Sequence, residues 1–140
     1  MAQLKSVDAV IVGAGFSGLY LLHLLRGQGF TTRVFERAAG VGGTWYWNRY
    51  PGARFDSESY SYAYSFSQEL LDEWDWSEHF ASQPEILKYL QYVADKFDLV
   101  KDIQFSSNVR SAIYNEDSRC WQVEIDNGNT YRTRFLITAL

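Results

Sequence analysis

Six residues near the start of the chain, Gly13-Ala14-Gly15-Phe16-Ser17-Gly18, have the G-x-G-x-x-G spacing that can hold a dinucleotide pyrophosphate. Alone the pattern is common in turns, and a glycine turn with no ligand is the competing reading. The surroundings favour the ligand. The motif follows the apolar run Val7-Asp8-Ala9-Val10-Ile11-Val12, opens a segment of helical spacing, and is answered by Glu36 at the end of a second β-rich run. Gly13 permits the tight turn, Gly15 lets backbone approach a pyrophosphate, and Gly18 lets helix and strand pack closely. The helix N-terminus offers N–H donors and the positive end of its dipole. Glu36 can accept hydrogen bonds from a ribose diol, and its charge would repel a 2′-phosphate, so the site suits FAD or NAD and disfavours NADP. A second glycine-rich loop follows, Gly40-Val41-Gly42-Gly43-Thr44-Trp45, where a simple dehydrogenase would carry a return helix. Its adjacent glycines clear room along a bulky ligand, which favours FAD.

Other residue types offer less. Asp56, after Arg54-Phe55, reads on its own as a turn cap. His23 falls mid-helix and His79 near the next helix start, both as structural or solvated side chains without a partner at ligand spacing. Cys120 begins a strand and has no C-x-x-C companion. One Cys and two His argue against a disulfide framework or a transition-metal cluster.

The elements that must position these residues follow from hydrophobic pattern. Val7–Val12 reads as a strand buried on both faces, Ser17 to about Gly27 as a helix, and Thr31–Glu36 as a second, parallel strand, giving a right-handed βαβ unit. Ser82-Gln83-Pro84-Glu85 predicts a helix start with Ser82 as cap and Glu85 closing a capping box. Ile86, Leu87, Leu90, Val93, Ala94 and Phe97 line one face of that helix. Ile103–Phe105 reads as a strand. Val109–Tyr114, Trp121–Ile125 and Thr130–Thr133 form a meander with its best turn at Asn127-Gly128, and Phe135–Leu140 is a separate apolar strand. The fold class is therefore α/β: a Rossmann-like βαβ with parallel sheet, an aromatic-rich insertion with one helix, and a β-meander.

Aromatic residues make up 17% of the chain and crowd between Trp45 and Phe80, where neither helical nor strand periodicity is clean. Most of them read as packing, because a segment without regular structure must bury large rings to hold its shape. The 140 residues read as one domain, residues 1–140, with 13 basic against 17 acidic side chains and a net charge of −4. That balance argues against nucleic-acid or anionic-membrane partners. Apolar runs are too short for a membrane span, and the N-terminus lacks a signal peptide pattern, so the cytoplasm is the expected location. The last residues read as core, which predicts the front part of a longer chain.

The segment Gly42-Gly43-Thr44-Trp45-Tyr46-Trp47-Asn48-Arg49-Tyr50-Pro51-Gly52-Ala53-Arg54, followed by Phe55-Asp56-Ser57-Glu58-Ser59, resembles the Baeyer–Villiger monooxygenases of the flavin-containing monooxygenase superfamily. Ser82–Ile86 and Ala94–Phe97 are similar to the family's next helix, so the resemblance covers essentially the whole chain. It implies FAD contacts at Gly13, Gly15, Phe16, Ser17 and Gly18 on the pyrophosphate side and at Glu36 on the adenosine ribose, with Arg37 a further cofactor contact. Gly43, Thr44, Trp45, Asp56, Tyr62 and Val109 would follow along the flavin. Arg54 and Asp56 would also lie toward the nicotinamide of NADPH, with Asp56 in the catalytic role of orienting an arginine that stabilises a flavin peroxide. The implied activity is conversion of ketones to esters or lactones with NADPH and O2 through a C4a-peroxyflavin. A second G-x-G-x-x-G for NADPH, the family's fingerprint and a candidate catalytic arginine are not found in these residues, so the chain alone is expected to be inactive. An NAD-dependent dehydrogenase unit and a non-catalytic dinucleotide-binding module are the alternatives.

Overall fold

The computed structural model describes residues 4–140. β1 (Leu4–Val12) leads through the glycine turn into α1 (Phe16–Gly27) and β2 (Thr32–Phe35). The aromatic region carries α2 (Thr44–Trp47), a single 3-10 turn at Ser59–Ser61, and α3 (Gln68–Glu73), before α4 (Gln83–Lys96). β3 (Ile103–Gln104), β4 (Val109–Asn115), β5 (Cys120–Ile125) and β6 (Thr130–Thr138) complete the chain.

One six-stranded sheet has the order β3-β2-β1-β6-β5-β4. β1 is central and parallel to both neighbours, with Ala9 opposite Thr32 on one side and Phe135 on the other. β2 and β3 are also parallel, whereas β4, β5 and β6 form the antiparallel meander. Alternation along β1 and β2 divides the core. Ile11 and Val34 face a cluster with Leu19 and Leu22 of α1 and Leu90 and Val93 of α4, while Val10 and Phe35 face Val123, Ile125 and Tyr131. Most rings of the aromatic region, including Phe55, Tyr62, Tyr64, Phe66, Trp74 and Trp76, pack against the first cluster. Trp47, Tyr50, Tyr60 and Phe80 remain exposed.

Three expectations are corrected. The aromatic insertion holds α2 and α3 in addition to the one expected helix, α4, the two being too short to show a helical period. Ser82 caps α4 by position, but its hydroxyl makes no capping bond, and Glu85 instead accepts from the Ser77 backbone N–H at 2.7 Å and its hydroxyl at 3.0 Å. No capping box forms. The last meander strand and the apolar strand are one element, β6, because its whole length pairs with β1 from Leu4↔Thr130 to Val12↔Thr138. The apolar run is also less buried than its composition predicts: Phe135 on β6 is 44% exposed, and Leu140, two residues past the strand, is 97% exposed.

Candidate functional site

The carboxyl ends of β1, β2 and β6 meet at one edge of the sheet. The chain leaves β1 toward β2 on one side and β6 occupies the other, so the edge is a topological switch point, the place where open α/β sheets bind ligands. A cavity of about 620 Å³ lies there, lined by Gly13 and Gly15, by Glu36 and Arg37, by Gly43 and Thr44, and by Val109. Seven of the residues expected to hold a cofactor thus share one space.

The glycines act in different ways. Gly13 has φ +104°, and a Cβ on it would lie 2.5 Å from the Ala139 carbonyl oxygen. A Cβ on Gly18 would lie 2.0 Å from the Gly13 oxygen, so this glycine is required by the turn itself. Gly15 differs, since its Cβ would meet nothing closer than Gly43 Cα at 3.5 Å. The protein does not need Gly15 for its own packing, and Gly15 lines the cavity. Gly15 also caps α1, whose first-turn N–H groups have no partner within the helix.

Glu36 is 4% exposed. Its Oε2 accepts from the Ala14 backbone N–H at 2.8 Å, and its Oε1 accepts from Ala38 N–H at 2.7 Å. The carboxylate therefore ties the glycine turn to the end of β2 while keeping lone pairs for a ligand on the cavity side. Beside it the Arg37 guanidinium lies 5.3 Å from the Trp47 ring centroid. Trp47, Asn48, Ser107 and Asn108 also line the cavity and were missed by sequence reasoning. Trp47 and Asn48 were within the motif segment, but neither Ser107 nor Asn108 carries a local signal.

The remaining candidates lie elsewhere. Phe16 and Ser17 open α1 beside a shallow groove lined by Tyr20, Tyr64 and Phe66. Trp45 is buried, its indole N–H donating to the Tyr62 hydroxyl at 3.0 Å, and Tyr62 stacks on Phe55 with centroids 3.7 Å apart. The Tyr64 hydroxyl donates to the Phe16 carbonyl at 2.6 Å, and burial pushes its pKa up, so it stays a donor. Burial likewise pushes Tyr89 up to about 12; its hydroxyl accepts from Tyr64 N–H at 2.8 Å. Arg54 and Asp56 line a separate open groove with Glu78 and His79. Arg54 donates to Glu78 Oε2 and to the Phe80 carbonyl, both at 2.7 Å, and Asp56 is exposed. His23 stacks on Phe66 and meets Phe97 edge to face, and Cys120 is half-buried at the start of β5.

The cavity passes the test for an FAD. It has the size of a ligand site, a buried carboxylate at the end of β2, and two glycines facing each other. Among the described residues no helix is long and apolar enough to cross a membrane.

Residues 11–74 match the model of the NAD(P)-binding Rossmann-like domain. The chain is 50% identical over 134 residues to acetone monooxygenase (methyl acetate-forming) of Gordonia sp. (strain TY-5), covering 96% of this chain and 25% of that protein. A structure of oxidized steroid monooxygenase bound to NADP is 57% identical with TM-score 0.95, covering 96% of this chain and 26% of the other. A structure of OTEMO complexed with FAD and NADP is 47% identical with TM-score 0.91, covering 95% and 25%. A Baeyer–Villiger monooxygenase of Pseudooceanicola batsensis is also among the relatives. The chain is a homologue of the Baeyer–Villiger monooxygenases and spans about a quarter of the length of the curated relatives it matches.

Proposed function

We propose that the chain is the FAD-binding part of an NADPH- and O2-dependent monooxygenase that converts ketones to esters or lactones in the cytoplasm. The observation that carries this reading is the cavity at the switch point, lined by the facing glycines Gly15 and Gly43 and by the buried carboxylate of Glu36. Residues 1–140 would serve as a single FAD domain, acting with an NADPH site supplied by other sequence. The net charge of −4 supports neither a nucleic-acid nor an anionic-membrane partner.

Bound FAD would supply the hydride acceptance and oxygen chemistry such a reaction needs. The chain's own residues bind and orient. N–H groups of the first turn of α1, around Phe16, Ser17 and Gly18, would hold the pyrophosphate. Glu36 would accept from the adenosine ribose, with Arg37 beside it and Val109 lining the same cavity. Gly43 and Thr44 would lie along the ribityl chain, and the Trp45–Tyr62 pair would support the flavin end. Arg54 and Asp56 would face the nicotinamide, where an exposed carboxylate can hold a guanidinium by paired charge-assisted hydrogen bonds.

The test is to purify the full-length protein, add FAD, remove excess by gel filtration and record the absorbance spectrum. A retained flavin spectrum is expected, followed by ester or lactone on addition of NADPH and a cyclic ketone in air. Colourless protein would overturn the FAD reading; flavoprotein that consumes NADPH with no oxygenated product would overturn the reaction.

A further inference from the structure

Gln83 opens α4 yet is only 7% exposed, an unusual burial for an amide side chain. Its Nε2 donates to the Trp45 carbonyl oxygen. α2 is a single turn of four residues, too short to persist by its own propagation, and its carbonyls find their partners beyond it, Thr44 O in Asn48 N–H at 2.9 Å and Trp47 O in Arg49 N–H at 3.1 Å. Gln83 supplies the one for Trp45 O from α4.

What α2 holds in place is the second glycine loop. The Trp45 and Tyr46 N–H groups donate back to the Gly42 and Gly43 carbonyls at 3.0 Å, and Gly42 N–H donates to Ala14 O at 3.0 Å. Gly43, at φ +53°, sits against Gly15 on the cavity wall. Leu87 of α4 presses on the same loop, where a Cβ on Gly42 would lie 2.6 Å from its Cδ1. From its backbone, Gln83 donates to Ala53 O at 2.9 Å, next to the Arg54↔Ser82 bridge. One residue therefore couples α4 to both the cavity loop and the segment bearing Arg54.

We propose that Gln83 is a positioning residue for the FAD site: its side-chain hydrogen bond to Trp45 fixes α2, and through α2 sets Gly43 and Thr44 against the cofactor. This rests on the FAD reading above.

The experiment titrates FAD into deflavinated full-length protein, following flavin fluorescence, with visible circular dichroism of the bound flavin and the apoprotein melting temperature measured in parallel. Gln83→Met keeps length and removes the donor; leaving a buried carbonyl unpaired should raise the FAD dissociation constant about tenfold or more and alter the flavin dichroism. In Gln83→Glu only the protonated carboxyl can donate, so its affinity relative to wild type should be poor near about pH 8 and recover toward about pH 5. Wild type that fails to bind FAD would defeat the cofactor reading. Wild type that binds, with both variants within about twofold of it, would make Gln83 a packing residue and overturn this inference alone. A loss in Gln83→Glu that ignores pH, or apoprotein of both variants that does not fold, would overturn it as well.

Discussion

Two glycines three residues apart carry opposite expectations. Gly18→Ala places a Cβ 2.0 Å from the Gly13 oxygen, so the turn must move and the folded protein should be lost or strongly destabilised. Gly15→Ala meets ordinary contact distance at 3.5 Å, so melting temperature should hold while FAD affinity falls. Thermal denaturation and FAD titration of both variants check the pair; equal melting temperatures would sink it. Glu36→Ala should damage the apoprotein too, since the Ala14 and Ala38 amides lose their acceptor at roughly 1–3 kcal/mol for each one left unpaired. A denaturant midpoint equal to wild type's would show that the carboxylate serves the ligand alone.

At the scale of elements, helix caps separate the two serines that precede helices. Ser67 Oγ accepts from Leu70 N–H at 3.2 Å at the start of α3, so Ser67→Ala should cost about 1 kcal/mol. Ser82→Ala, with no side-chain cap to lose, should cost only a few tenths by the same measure. Urea titrations that reversed this order would contradict the cap geometry. His23 wedges α1 between Phe66 and Phe97, with ring centroids 4.7 and 4.8 Å away. Burial first, and Arg26 second, lower its pKa from the ordinary 6.5. The unfolded chain then takes up the proton more readily than the folded one. Stability is complete above 6.5 and declines as pH falls below it. Replacing His23 with Gln should flatten that decline, and an unchanged pH profile would count against the wedge.

For the whole molecule, Phe135 on β6 and Leu140 just past its end leave apolar surface exposed, and Leu140 also lines the cavity. Residues 1–140 expressed alone should self-associate as concentration rises and hold FAD weakly. Sedimentation velocity and FAD titration measure both, and a monodisperse monomer with tight flavin would refute the expectation. Supplied with FAD, NADPH and a cyclic ketone, the same polypeptide should form no lactone above the level of free flavin.

The βαβ unit was legible without coordinates because its signals are local. Strand-type runs at Val7–Val12 and Thr31–Glu36, the glycine spacing from Gly13 to Gly18, and an acidic residue closing the second run can each be read from a short stretch of chain, although Gly13 meets Ala139 and Glu36 meets Ala14 only in the fold. The helix from Gln83 was legible for the same reason, through the spacing of Ile86, Leu90 and Val93. α2 and α3 were not, since a turn of four residues and a helix of six leave no period to read. The fate of Glu85 depended on where Ser77 came to lie. Ser107, Asn108 and Trp47 reach the cavity only because β2, β3 and α2 converge on it, and the union of two expected strands into β6 depended on β1 offering a full-length parallel partner. Pairing between strands more than a hundred residues apart is a property of the sheet, and residues that carry no pattern of their own acquire their place from it.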